Sequence, residues 1–71
     1  MSEIPAYSFR TSWSDRDGEC VATCDELPDL SGLAPTPARA LLELRLAIAA
    51  WLDYLAARGL PAPAPRGDRG A

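Results

Sequence analysis

The sequence predicts an α+β fold, in which one long helix packs on a three-stranded antiparallel sheet in the order β-β-β-α. Apolar and polar residues alternate near the start of the chain, as they do in a strand. The turn sequence "SDRDG" joins this stretch to a second one that ends in "VATC". Residues 38–58 contain neither glycine nor proline and are rich in alanine and leucine, which favours a helix.

Alternation from Ala6 onward predicts the first strand, because residues two apart share one face of a strand. That face carries Tyr7, Phe9, Thr11 and Trp13. In the turn, Asp and Ser side chains bond locally to the backbone and Gly18 can adopt a positive φ. The segment "ECVATC" is then the returning strand of a hairpin. The segment "LSGLAP", which follows the proline of "DELPDLSG", is a short third strand.

The helix has recognisable ends. Thr36 is a favourable N-cap and Pro37 suits the first helical position, whereas Gly59 is a typical C′ residue after the last turn. At 3.6 residues per turn, one face of the helix is apolar and is expected to pack on the sheet. Its members are Ala40, Leu41, Leu44, Ile48, Trp51, Leu52 and Leu55.

A second apolar strip runs along the opposite side of the helix. It consists of Leu42, Leu46, Ala49 and Ala50. One sheet face cannot cover both sides of a helix, so this strip predicts contact with another chain and a homo-oligomer. The alternative is that alanines and occasional leucines are ordinary on a helix surface. The sequence leaves both interpretations open.

The length of 71 residues allows one small domain, which we expect at residues 6–65 between a flexible tail at 1–5 and a disordered tail at 66–71. Alternating proline and alanine in "LPAPAP" predict an extended segment, in which Leu60 and Pro61 could lie against the sheet edge as a short final strand. A core of this size supplies only roughly 3–5 kcal/mol. We therefore expect the chain to be stabilised by self-association or by a partner.

Acidic residues are concentrated between positions 15 and 29, in a chain of net charge −3. Only Arg16 opposes them there, and they are Asp15, Asp17, Glu19, Asp25, Glu26 and Asp29. Such a concentration favours a basic partner protein, and it disfavours nucleic acid, which is bound through Lys and Arg. The alternative is a solvated face that keeps a small protein soluble.

The two cysteines are predicted to be buried apolar residues. On one strand Cys20 and Cys24 lie roughly 13 Å apart, and a disulfide needs Cα atoms within about 7 Å. With Ala22 between them, all three face one side. A zinc site needs about four ligands, but the chain contains no histidine. We therefore expect no metal site.

Catalytic groups are also scarce. The chain has no histidine, no lysine and no glycine-rich phosphate loop, so we expect neither an enzyme nor a cofactor. Asp15 and Asp17 could hold a divalent ion, but two acids on one turn are ordinary turn residues. A basic start followed by an apolar run is absent, and charges interrupt the most apolar stretch. These features favour a cytoplasmic protein without a membrane span.

The order of motifs resembles the HicB-type antitoxins. The shared features are the strand "YSFRTSW", a "DG" turn, "ATCDELPDLSG", Thr-Pro before an Ala/Leu-rich helix, and "GLPAPAP". The likeness covers residues 7–65. Where the family usually has Gly-Asp before the threonine, this chain has Ala34 and Pro35.

This resemblance implies a partial ribonuclease-H-like fold and a role as an antitoxin. Proteins of this family cover the active site of a small basic toxin, HicA, which cleaves mRNA, and they assemble into oligomers. In this chain Asp15, Asp17, Glu26 and Asp29 would face the toxin. The short form implied here lacks the family's C-terminal DNA-binding segment, so direct DNA binding is not expected. The alternative is a structural or regulatory homo-oligomer of the same fold without a toxin partner.

Overall fold

Four elements make up the computed structural model, which describes residues 5–65. They are β1 (Phe9–Ser14), β2 (Glu19–Cys24), β3 (Ser31–Ala34) and α1 (Pro37–Ala57). The strands form one antiparallel sheet in the order β1-β2-β3. The predicted β-β-β-α arrangement is therefore confirmed. The tails predicted at 1–5 and 66–71 lie outside the described residues, apart from Pro5.

The β1–β2 turn closes through its backbone. Gly18 has φ +65°, a conformation that glycine adopts without a steric penalty. Its N–H donates to the Ser14 carbonyl oxygen at 2.8 Å. The predicted turn chemistry of "SDRDG" thus holds the two strands in register, with Ser14 opposite Glu19.

Helix α1 begins as its sequence predicts. Thr36 is the N-cap with an extended backbone, and Pro37 occupies the first helical position. The Thr36 hydroxyl oxygen accepts a hydrogen bond from the Arg39 N–H at 3.2 Å. This contact satisfies one of the backbone donors that every helix start leaves without an intrahelical partner.

The C-terminal end of α1 is a Schellman motif. Gly59 has φ +69°, and its N–H donates to the Ala56 carbonyl oxygen at 3.1 Å. The Leu60 N–H reaches back to the Leu55 carbonyl oxygen at 2.9 Å. These two bonds define the motif and turn the chain away from the helix axis.

The segment after α1 forms no strand within the described residues. Leu60 is 50% exposed, and the short final strand that the sequence allowed at Leu60 and Pro61 does not form. The segment contacts the residues before β1 further along the chain, where the Tyr7 hydroxyl donates to the Pro63 carbonyl oxygen at 2.8 Å. Because Pro61, Pro63 and Pro65 lack an N–H, this segment cannot donate regularly to a sheet edge.

The core lies between α1 and the inner face of β2 and β3. Leu44, Ile48 and Cys24 are its largest fully buried side chains. Gly32 on β3 faces the helix where an added Cβ would collide with the Ala40 carbonyl oxygen. The absence of a side chain at this position therefore lets the helix backbone lie directly on the strand.

Trp51 does not belong to the core, although the 3.6-residue period places it on the inward face of α1. It is 38% exposed. A 21-residue helix is about 30 Å long, whereas the four-residue β3 spans only about 13 Å. The second half of α1 therefore runs past the strand, and Trp51 faces the β2–β3 loop, residues 25–30, across a cleft.

Strand β1 is an edge strand that the helix covers only at one end. Register places Trp13 opposite Cys20 and Phe9 opposite Cys24, so both share one face of β1 as predicted, and that face is the helix-facing one. Phe9 packs against the core, but Trp13 is 58% exposed. The helix lies over β2 and β3, which leaves the hairpin end of β1 uncovered.

Replacement of Gly32 by alanine is expected to lower the free energy of unfolding by about 1–3 kcal/mol, because a methyl group forces the helix away from β3. An added Cβ would also stand 2.6 Å from the Leu44 amide nitrogen. Urea denaturation measures the change. Ser31→Ala, on the exposed face of the same strand, is the control and should change stability by no more than about 0.5 kcal/mol. Equal stability of the two variants would contradict the close approach.

Candidate binding surfaces

The hairpin tip carries two of the predicted partner-binding acids. The Trp13 indole N–H donates to Asp15 Oδ1 at 2.8 Å. The Ser14 hydroxyl donates to Asp17 Oδ2 at 3.0 Å, and the Asp17 N–H donates to Ser14 Oγ at 3.3 Å. Both acids are exposed, and these local bonds fix the direction of their carboxylates.

The other end of the sheet carries Asp25 and Glu26. The Ser8 N–H donates to Glu26 Oε1 at 2.9 Å, and the Asp25 N–H donates to the Ser8 carbonyl oxygen at 3.0 Å. Arg10 Nε lies 3.3 Å from Asp25 Oδ1. These contacts extend the β1–β2 pairing beyond Phe9 and Cys24, the last paired residues of the two strands. Glu26 is therefore a structural group as well as a predicted partner-binding residue.

The four predicted partner-binding acids do not form one patch. Asp15 and Asp17 lie on the β1–β2 turn, whereas Glu26 and Asp29 lie on the β2–β3 loop. The six residues of β2 separate the two groups by roughly 17 Å at 3.3 Å per residue. A single basic side chain cannot contact both groups, so a partner would have to cover the length of the hairpin.

Charge is nevertheless unevenly distributed over the molecule. Within the described residues, the sheet and its loops contain six carboxylates and two arginines, whereas α1 and its C-cap contain two carboxylates and three arginines. Two of the helix charges pair with each other, since Arg39 Nε lies 3.4 Å from Glu43 Oε2. The negative potential is therefore concentrated on β2 and the loops at its two ends.

A cleft of about 310 Å³ opens between the β2–β3 loop and α1. Its lining residues are Glu26, Leu27, Pro28, Asp29, Leu30 and Trp51. The sequence did not predict it, because Trp51 shares the helical period of the core residues. A possible signal was the length of the helix relative to the short third strand, which implies an uncovered second half.

An aromatic stack continues from the cleft along α1. The Trp51 and Tyr54 rings are stacked with centroids 5.2 Å apart and an interplanar angle of 19°. The Arg58 guanidinium carbon lies 5.0 Å from the Tyr54 ring centroid. The helix therefore already holds one cation against an aromatic face at its C-terminal end.

The second apolar strip of α1 is exposed in part. Leu42 and Leu46 are 42% and 45% exposed, whereas Ala49 is half-buried and Ala50 is exposed. Asp53 lies on the same side of the helix by its period. The strip that was predicted to be an oligomer interface therefore exposes two leucines, with two alanines and the charged Asp53 beside them.

Cys20 and Cys24 are free thiols that face the core from β2, as the alternation predicts. They are 8% and 1% exposed, and Ala22 between them is fully buried. The Cys24 Sγ lies 3.5 Å from Glu26 Oε1. No group of three potential metal-binding side chains occurs among residues 5–65. The predicted burial of both cysteines is confirmed.

Burial raises the pKa of the Cys24 thiol, and the Glu26 side chain acts in the same direction, against a lowering by nearby backbone N–H groups. Burial also raises the pKa of the Tyr7 hydroxyl, with smaller contributions in the same direction from Cys24 and Glu26. Both groups are therefore held in their neutral forms, and the Cys24 thiol is a poor nucleophile.

Comparison with known proteins assigns the chain to no family, because no family model, no curated protein and no solved structure matches it. Within residues 5–65 there is no helix with the length and apolarity required to cross a membrane.

Alkaline pH is expected to destabilise the fold through Cys24 and Tyr7. A raised pKa in the folded state means that the contribution to stability is complete below the unfolded-state values, 9.0 and 10.0, and is lost as pH rises through the folded-state values. Each group contributes a slope of at most about 1.4 kcal/mol per pH unit. Urea denaturation between pH 7.5 and 10.5 measures it.

Cys24→Ala should show a shallower loss of stability over this range than the wild type. Thr23→Ala, a non-titrating change at the adjacent position of β2, is the control and should keep the wild-type slope. The chain contains no lysine, so no ammonium side chain contributes to the slope over this range. Identical slopes for Cys24→Ala and the wild type would contradict the assignment.

Proposed function

We propose that this protein is an antitoxin-like binding protein that neutralises a small basic HicA-type toxin, which cleaves mRNA, by covering its active site. The observation that carries the proposal is the concentration of carboxylates on β2 and its two loops. The order of strands, turn and helix agrees with the resemblance drawn from the sequence. The chain acts, on this proposal, as a competitor of RNA phosphate for a basic surface.

Electrostatics would bring the two proteins together. Asp15 and Asp17 are exposed on a turn whose local hydrogen bonds hold their carboxylates in place, so little conformational entropy is lost when a cation binds them. Attraction between an acidic and a basic surface accelerates encounter and depends on ionic strength. Apolar contacts then slow dissociation.

The partner would contact both ends of the hairpin. Asp29 is exposed and makes no hydrogen bond or ion pair within residues 5–65, so it can pair with a cation without breaking an existing contact. Glu26 contributes mainly negative potential, because its two oxygens already accept from Ser8. Asp15, Asp17 and Asp29 are therefore the acids that would make direct contact.

Charge reversal at the hairpin tip should weaken toxin binding. We expect Asp15→Lys combined with Asp17→Lys to raise the Kd for the basic protein encoded by the neighbouring reading frame by at least about tenfold, because truncating close interfacial charge pairs costs several kcal/mol. Titration calorimetry at low and at physiological salt measures the change.

The matched control is Glu43→Lys combined with Asp53→Lys, which changes the net charge equally but on α1. We expect this pair to weaken binding much less. Equal losses for the two double variants would mean that only net charge matters. Unchanged affinity in the hairpin variant would mean that these acids serve solubility alone.

A second candidate function is a structural or regulatory homo-oligomer without a toxin partner. The exposure of Leu42 and Leu46 on the outer side of α1 favours it, since two leucines one turn apart are suited to helix–helix packing. The absence of a small basic protein in the neighbouring reading frame would favour this candidate over the first.

Leu46→Glu tests the homo-oligomer directly. A charge in the middle of the strip should shift an oligomer to monomers, because a carboxylate buried at an interface is costly. Light scattering over a range of concentrations measures the mass. Ser12→Glu, which adds the same charge at an exposed position of β1 away from the helix, is the control. An unchanged oligomer in Leu46→Glu would remove the strip from the interface.

A further inference from the structure

We propose that the cleft between the β2–β3 loop and α1 binds an arginine side chain of the basic partner protein. This inference rests on the proposed function, which supplies the basic partner. It adds which type of partner side chain binds, and where on this chain it binds. The cleft combines a carboxylate, an indole and an apolar wall in one concave site.

The apolar part of the cleft suits the stem of a long basic side chain. Leu27, Pro28 and Leu30 contribute its loop wall, and Trp51 contributes its helix wall. Its volume of about 310 Å³ is at the small end of the range for ligand pockets, roughly 300–1,000 Å³. A site of this size accommodates one side chain and a little of its flanking backbone, so it fits a residue projecting from a partner.

The polar part of the cleft is negative. Glu26 and Asp29 both line it, and no basic side chain is among its lining residues. Asp29 has no intramolecular partner within residues 5–65, whereas Glu26 is held by Ser8. A cation entering the cleft therefore meets one carboxylate that is available for direct pairing and a second that adds to the local potential.

The indole selects arginine over lysine. Trp51 is 38% exposed and lines the cleft, and Tyr54 is already stacked on its ring. A planar guanidinium can stack on an aromatic ring while it donates paired hydrogen bonds to a carboxylate, whereas an ammonium group cannot do both. The contact of Arg58 with Tyr54 shows the same kind of pairing within this chain.

Trp51 fluorescence in a Trp13→Phe background can report occupancy, because the chain contains only two tryptophans. The probe is the peptide acetyl-Leu-Arg-Leu-amide, and its matched control carries citrulline, the neutral isostere of arginine. We expect saturable quenching by the arginine peptide at millimolar concentrations. Affinity for the citrulline peptide should be weaker by about three- to tenfold, as expected for loss of the charge at a half-exposed aromatic site.

Asp29→Asn tests the carboxylate, and it should weaken binding of the arginine peptide by about threefold or more. Glu19→Gln, at the hairpin end of β2 and outside the cleft, is the control. It should leave peptide binding unchanged. Equal binding of the two peptides, an unaffected Asp29→Asn variant, or no quenching at all would each overturn the proposal.

Toxin titration separates this inference from the proposed function. If the toxin binds the wild type and Asp29→Asn equally well, the cleft is not used and the antitoxin role still stands. If the arginine peptide binds as expected and the toxin does not bind the wild type, the cleft remains an arginine site and the antitoxin role is wrong.

Discussion

The contact between Gly32 and the backbone of α1 is the constraint on which the rest of the molecule depends. Because β3 presents no side chain there, the helix lies close enough for Leu44 and Ile48 to reach the inner face of β2. That position centres the helix over β3 and β2 and leaves the hairpin end of β1 uncovered. It also sends the second half of the helix beyond β3, where the cleft forms.

Local sequence signals predicted the secondary-structure elements, because each element forms and ends through interactions between neighbouring residues. Alternation, the glycine of the hairpin turn, the Thr36 cap and the Gly59 stop each act over a few residues, and each agrees with the structure. The prediction for Trp51 was wrong because burial also depends on what lies opposite the helix. The helical period gives the direction in which a side chain points, but it does not show how far the sheet extends opposite the helix.

The acidic character of the surface could be predicted from composition, and its division between the two ends of the hairpin follows from the length of β2, which separates the two acidic groups. Residues 15–29 are close in sequence, but β2 lies between the two acidic groups and places them at opposite ends of the strand. The cleft could not be predicted, because it combines a loop and a helix position that are more than twenty residues apart. The roles of Asp29 and Trp51 therefore required the tertiary structure.

The hydrogen bond from the Tyr7 hydroxyl to the Pro63 carbonyl oxygen joins the first and last parts of the described chain. The two ends of the described chain therefore lie near each other, at the end of the sheet opposite the hairpin turn. A short linker from Pro65 to Pro5 could close the backbone into a ring, and new termini could be opened at Arg16. In such a circular permutant, the order of the elements along the chain would change while every strand kept its neighbours.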